Sequence, residues 1–261
     1  MERKIQFKVF KFNPSIEVTP TWRVYEVEVD RGTTVLDALL KIKEEQDPSL
    51  AIRYSCRQAI CGSCGMMING KQRLACFTRV LELNSKIIYV EPLSNYPIIR
   101  DLVTDFSELF SKERSVKPYI IRDDVEEMSN PTGMYLQKPD ELLSYLQFAD
   151  CIECGLCSSA CPTVSTDRLF LSPMVLNKAY RFSADSRDSG LVHRLPVIDS
   201  EHGCWRCHFA AACSSVCPKG VDPAKSIQLL KRMITSTNIF KKSRKRIVEI
   251  SSRPHVTLSF P

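Results

Sequence analysis

Cysteines are the residues of this 261-residue chain whose type and spacing most clearly predict chemistry, and the chain has twelve of them. Eleven fall into three spaced groups, and cysteine thiolates are strong ligands for iron and zinc. The first residues lack the apolar stretch of a secretory signal, so we expect a chain that is not exported. Since thiols stay reduced inside cells, clustered cysteines then predict metal ligation rather than disulfide bonds.

The first group has the spacing C-x4-C-x2-C-x11-C. Its members are Cys56, Cys61, Cys64 and Cys76. A C-x4-C-x2-C run with a later fourth cysteine is the plant-type [2Fe–2S] spacing. We expect Gly62 and Gly65 to let the backbone approach the cluster and their N–H groups to donate to sulfur. The alternative is a zinc site or scattered core cysteines, but zinc sites usually pair C-x2-4-C units.

The second group is a C-x2-C-x2-C-x3-C run followed by Pro162. Its members are Cys151, Cys154, Cys157 and Cys161. This is the bacterial ferredoxin pattern, in which three cysteines bind one cluster and the fourth ligates the other cluster. The third group, Cys207, Cys213 and Cys217, has the same spacing with Ala210 at the second position.

The crossover rule of that pattern assigns the ligands of two clusters. A [4Fe–4S] cluster is predicted on Cys151, Cys154, Cys157 and Cys217. The last cluster receives Cys161, Cys207 and Cys213, because Ala210 offers no ligand. Three thiolates suit a [3Fe–4S] cluster, which is a cubane that lacks one iron.

Cys204 is the one cysteine outside these groups, and it precedes Cys207 by three residues. It is either a free buried thiol, which is common for cysteine, or a fourth ligand that makes the last cluster a second [4Fe–4S]. Both interpretations stay open at the level of the sequence.

The elements around the cysteines predict an α+β protein with two domains. Polar and apolar residues alternate in 6–12 and 23–30, and 86–90 is a further strand candidate. Thr34, with Asp37 three residues on, predicts a helix start. Helices are expected at 141–149, 173–181 and 223–233. We therefore expect a plant-type ferredoxin (β-grasp) domain at 1–105, an all-α bacterial-ferredoxin-like domain at 106–235 and a basic tail at 236–261.

The net charge of +6 belongs to the end of the chain. Residues 231–261 hold eight Lys/Arg and one acidic residue, so the remaining 230 residues carry a net charge of −1. The basic run 241–246 predicts a contact with anionic lipid, a solvated tail or a contact with a partner subunit, and 255–260 could add a strand to a partner. A zinc-dependent nucleic-acid binder is the rival of another class. It is disfavoured by the cysteine spacing and by the lack of an aromatic-interleaved basic patch.

Five motifs together resemble the iron–sulfur subunit of succinate dehydrogenase and fumarate reductase, the complex II family. They are Ser55–Gly65, Lys117–Tyr119, Cys151–Cys157, Tyr180–Asp188 and Cys217–Pro223. The resemblance implies an electron-transfer subunit between a flavoprotein that carries FAD and a membrane anchor that binds quinone. The dicarboxylate chemistry would then occur on the flavoprotein. A thiol-linked fumarate reductase is a near rival, but its usual extra cysteine-rich domain is missing from this sequence.

The resemblance also implies a location and a quinone side. It places Pro162, His208 and Lys231 beside the last cluster, near the quinone. His208 could equally be a buried, hydrogen-bonded histidine, and Lys231 a solvated helix residue. The expected location is peripheral, on the cytoplasmic face of the prokaryotic cell membrane, with no nucleic-acid partner. Arg181–Asp188 is expected to form a structural ion-pair network.

Overall fold

The computed structural model describes residues 3–251, and side chains for residues 3–237. The strands are β1 Arg3–Lys11, β2 Thr21–Val29, β3 Gly65–Ile68, β4 Lys71–Leu74, β5 Ile87–Glu91, β6 Ile98–Arg100 and β7 Val103–Thr104. The helices are α1 Val35–Glu45, α2 Ser107–Ser115, α3 Val125–Ser129, α4 Pro139–Leu143, α5 Leu146–Ala149, α6 Leu156–Ser159, α7 Pro162–Thr166, α8 Pro173–Ser183, α9 Leu191–Ile198, α10 Ala212–Ser215 and α11 Pro223–Ser251. Short 3₁₀ turns occupy Ala75–Phe77, Leu81–Leu83 and Cys204–Arg206. The chain therefore divides into a mixed α/β half followed by a helical half.

The first half is a five-stranded mixed sheet with one helix against it. The strand order is β2-β1-β5-β3-β4, with β1 parallel to β5 and the other pairs antiparallel. The alternating residues of β1 bury Phe7 and Val9 on the face that packs against α1. At the start of α1, the Asp37 amide donates to the Thr34 hydroxyl and the Thr34 amide donates to the Asp37 carboxylate. This reciprocal cap confirms the predicted helix start.

The helical half is built around α8 and α11, which pack against each other in a second apolar core. The helix predicted at 141–149 is broken into α4 and α5, because Tyr145 between them is turned into the core and its hydroxyl donates to Gln137. The helix predicted at 173–181 extends to Ser183. The helix predicted at 223–233 extends to Ser251, so it includes the basic run 241–246 in its backbone.

The two halves are joined through the loop of the second cysteine group. Leu156 is fully buried in the core of the first half. The Tyr96 hydroxyl donates to the Gly155 carbonyl at 2.9 Å, and the Asn95 side-chain amide donates to the Ser159 carbonyl at 2.9 Å. These contacts hold residues 155–159 rigidly against the sheet domain.

Within residues 3–251, no helix combines the length and the apolar character needed to cross a bilayer. The strand suggested for 255–260 lies outside the described residues.

Candidate iron–sulfur sites

The first cysteine group lies on a loop whose amides point at its sulfur atoms. Cys56 Sγ accepts from the amides of Ile60 and Cys61 at 3.3 and 3.2 Å. Cys76 Sγ accepts from Ala59 at 3.3 Å, and Cys64 Sγ accepts from Cys76 at 3.4 Å. Such donors stabilise thiolate charge and tune a bound cluster. The four cysteines with their amide cradle therefore fit an iron–sulfur cluster.

Left-handed backbone turns give the loop this shape. Arg57, Ala59 and Gly62 have φ angles of 57°, 58° and 72°. Two of these residues carry a Cβ, so the loop holds a conformation that costs energy outside glycine. Such turns aim successive amides inward, which the sequence spacing alone did not reveal.

The Gly65 amide donates to the Gly62 carbonyl at 3.3 Å. Donation from the Gly62 and Gly65 amides to cluster sulfur stays a prediction. Burial raises the pKa of Cys61, but hydrogen bonds from Ser63 and the Cys56 amide outweigh burial and lower it to about 6. Cys64 is more deeply buried, and desolvation raises its pKa to about 12.

The second site is a cavity that four cysteines from two distant segments line together. They are Cys151, Cys154, Cys157 and Cys217. Gly155, with a φ of 74°, and α6 shape the first segment, while Cys217 follows α10. Burial is the main cause that raises the pKa of Cys154 to about 12, and the neighbouring Cys151 and Cys217 add to it. The four sulfur donors around one cavity fit a cubane cluster.

Two polar groups near this cavity were missed by sequence reasoning. Asn177 of α8 lines it and is fully buried. Its side-chain amide donates to the Phe148 carbonyl at 3.1 Å, while its Oδ1 has no hydrogen-bond partner among the described residues. Glu153, inside the C-x2-C spacer, forms an ion pair with Lys178. Asn177 and Lys178 both belong to α8, more than fifteen residues beyond Cys161, so no local spacing reveals either contact.

The third site is a cavity lined by Cys161, Cys207 and Cys213 together with Ala210. Burial, followed by the nearby thiols of Cys161 and Cys207, raises the pKa of Cys213 to about 11. The second and third cavities adjoin: α6, which carries Cys157 of the second, packs against α10, which carries Cys213 of the third.

Cys204 does not line this cavity among the described residues. It is fully buried in the 3₁₀ turn before Cys207, and burial raises its pKa to about 12 against the opposing charge of Lys231. Its surroundings are those of a protonated core thiol.

The three residues implied for the quinone side all lie near the third cavity, but they differ in exposure and in their contacts. Pro162 and His208 line it and are exposed. Lys231 is half-buried, and its ammonium donates to the Cys207 carbonyl at 2.9 Å. The exposed rings of Trp205 and Phe209 stand beside them, so this end of the helical half presents apolar surface to its surroundings.

Comparisons with known proteins agree with these sites. The 2Fe-2S iron-sulfur cluster binding domain family matches residues 6–111, and the 4Fe-4S dicluster domain family matches residues 147–221. A fumarate reductase iron-sulfur subunit of Mycobacterium tuberculosis is 43% identical over 93% of this chain and 97% of its own length. The chain belongs to the family of fumarate reductase iron–sulfur subunits.

Further relatives extend this family membership. A fumarate reductase iron-sulfur subunit of Haemophilus influenzae is 41% identical over 84% of this chain and 89% of its own length. One of Escherichia coli is 41% identical over 87% of this chain and 91% of its own length. A chain in the solved Mycobacterium smegmatis Sdh1 complex in the apo form superposes on this chain with a TM-score of 0.78 and is 25% identical in sequence. The superposition covers 98% of this chain and 100% of the Mycobacterium smegmatis chain. The present chain, a complex II iron–sulfur subunit, therefore has a [2Fe–2S] domain followed by a [4Fe–4S] domain.

Proposed function

We propose that this subunit relays single electrons between the FAD of a flavoprotein partner and quinone at a membrane anchor. Iron–sulfur clusters, when bound, accept and release one electron at a time. The chain's own contribution is to hold three thiol-lined sites in series. The loop of the first group contacts Cys154 of the second, and Cys157 of the second lies near Cys213 of the third. This unbroken series of sites is the observation that carries the proposal.

The proposed ligands follow the crossover of the two cysteine segments. The first site uses Cys56, Cys61, Cys64 and Cys76, and the second uses Cys151, Cys154, Cys157 and Cys217. The third uses Cys161, Cys207 and Cys213. Three thiols line that cavity and Cys204 is separate from it, which supports a [3Fe–4S] cluster rather than a second [4Fe–4S].

The finer architecture follows the same division. We infer a plant-type ferredoxin (β-grasp) domain at 1–105, supported by the helix packed on a mixed sheet, and a bacterial-ferredoxin-like helical domain at 106–235. The remaining segment, 236–261, starts inside α11. Pro162, His208 and Lys231 are proposed to face quinone, since two of them line the third cavity and the third braces Cys207.

The proposed location is peripheral, on the cytoplasmic face of a prokaryotic cell membrane, held by the anchor and the flavoprotein. Membrane association is supported by the exposed apolar rings beside the third site. The basic stretch 241–246, which continues α11, could reinforce it through anionic lipid.

The test is a redox titration of the complex that contains this chain, followed by EPR. Three separate iron–sulfur signals are expected over the titration, and the centres of sufficiently high potential should be reduced by succinate or reoxidised by fumarate through the flavoprotein. Quinol should exchange electrons with the third centre first. A colourless preparation that contains zinc instead of iron and acid-labile sulfide would overturn the proposal.

A further inference from the structure

Gly62 lies at the point where the first and second cysteine loops touch. A Cβ placed on Gly62 would lie 2.8 Å from Cys154 Cβ, 2.9 Å from Cys154 Cα and 3.2 Å from the Ile152 carbonyl oxygen. Two of these atoms belong to the backbone, which cannot rotate away as the end of a long side chain can. Only the missing side chain of Gly62 allows the loop of the first site to contact a ligand of the second.

The second cysteine loop cannot move away from a side chain added at Gly62, because it is held by the sheet domain. Leu156 anchors it in the core of the sheet domain, and Tyr96 holds the Gly155 carbonyl at 2.9 Å. The Ser94 hydroxyl adds a hydrogen bond to the Ser159 carbonyl at 3.1 Å. The first loop is more exposed, with Ile60 55% accessible. An added side chain at Gly62 would therefore move the first loop outward.

We propose that Gly62 is a positioning residue that sets the separation between the first and second centres, and with it the rate of electron transfer between them. This inference rests on the proposed relay function. One electron leaves the first site and one arrives at the second; no bond forms or breaks and no proton is required. Tunnelling falls steeply with distance, so a small outward shift of the loop slows the transfer.

Gly62→Ala, made in the assembled complex, tests the proposal against a matched glycine. Gly70 has the same φ of 72°, but a Cβ there would have no atom of the described residues within 4 Å. Gly70→Ala therefore imposes the same left-handed backbone strain without placing a side chain between the first and second cysteine loops. Any difference between the two variants reports the contact with Cys154.

The measured quantity is the spin–spin interaction between the two reduced centres, seen as faster spin relaxation of the first centre in EPR. This readout depends on distance and not on turnover. Gly62→Ala is expected to weaken the relaxation enhancement severalfold and to slow electron transfer from the first to the second centre, with the reduction potentials unchanged. Gly70→Ala should match the unmodified complex in both respects.

Two results would overturn the proposal. One is a relaxation enhancement in Gly62→Ala equal to that in Gly70→Ala. The other is a recovered complex that has lost its [2Fe–2S] signal, because Gly62 would then serve its own cluster. The absence of iron–sulfur signals from the unmodified complex would instead reject the relay function itself.

If Gly62→Ala yields no assembled complex, Gly65→Ala tests the proposal with a smaller steric change. A Cβ on Gly65 would lie 3.2 Å from Leu156 Cδ2 and 3.4 Å from Leu93 Cδ1 at the same domain contact, and both leucines are packed in the buried core with little room to move. Gly65→Ala should weaken the relaxation enhancement less than Gly62→Ala but measurably relative to Gly70→Ala. Equality of Gly65→Ala with Gly70→Ala would then overturn the proposal.

Discussion

Arg194 and Asp188 form an ion pair with no exposed side-chain surface on either partner, with Nη1 at 2.7 Å from Oδ2. Arg194 also donates to the carbonyls of Val116, Lys117 and Tyr119. It therefore ties the Lys117–Tyr119 motif to the Asp188 segment. The Arg181–Asp188 stretch is a structural ion-pair network, as its sequence predicts.

Asp188→Ala should destabilise the protein by about 3–5 kcal/mol, because it leaves a buried guanidinium without its counter-charge. The midpoint of guanidinium-induced unfolding of the holoprotein, followed by far-UV circular dichroism, measures the change. Glu82→Ala is the control, since its pair with Arg79 is 68% and 61% exposed and should contribute no more than about 1 kcal/mol. Equal losses in the two variants would contradict the role given to Arg194.

Local patterns predicted the parts of the fold that depend on neighbouring residues. The alternation in β1 and the Thr34 cap of α1 act over a few residues, and both are present. Strands β3 and β4 were missed, because Gly65–Ile68 directly follows the cysteine loop as a short run without clear alternation. It pairs along its whole length with β4 through the Asn69–Gly70 turn, a local hairpin signal that the strand predictions did not use. Its pairing with β5 is a contact between distant residues.

In the iron–sulfur sites too, some features follow from residue spacing in the sequence and others depend on contacts between distant residues. The thiols that the cysteine spacing groups together line the same cavities, since the ferredoxin template already contains the crossover of Cys161 and Cys217. Their assignment as cluster ligands stays a prediction. The contact of Gly62 with Cys154 and the place of Asn177 beside the second cavity depend on how the two halves pack. No spacing in the sequence carries that information.

Cys204→Ser should leave the EPR signals of all three centres unchanged, because the Cys204 thiol is buried outside the third cavity. Cys213→Ser is the matched ligand variant and should lose the third centre. A change in the third signal of Cys204→Ser would show that Cys204 is a ligand.

The Cys204 thiol should also resist alkylation in the native holoprotein. Its pKa is raised to about 12, mainly by burial, so the reactive thiolate is scarce at neutral pH. Below that pKa, the rate of labelling by iodoacetamide should rise about tenfold for each pH unit, since the thiolate fraction does so. Peptide mass spectrometry measures the rate, and a rate that levels off near pH 9, the ordinary pKa of a cysteine, would contradict a raised pKa.

Ala210→Cys should convert the third centre into a four-iron cluster. Ala210 lines the cavity at the position where the ferredoxin template has its second ligand, so a thiol there supplies the missing donor. The EPR signal of the oxidised trinuclear centre should disappear, and iron should increase by about one atom per chain. Ala210→Val is the control, because it fills similar space without a ligand and should retain the trinuclear signal.

Ser172→Gly should stabilise the protein by about 1–3 kcal/mol, because Ser172 adopts a backbone conformation that is favourable only for glycine. Its φ and ψ are 88° and 156°, and within the part of the chain that the structure describes its buried hydroxyl has no hydrogen-bond partner to lose. Ser172→Ala keeps the Cβ and hence the strain, so it should not show this gain. The comparison uses the unfolding midpoint of each holoprotein. A gain of the same size in both variants would assign the effect to the unpaired hydroxyl instead of the backbone.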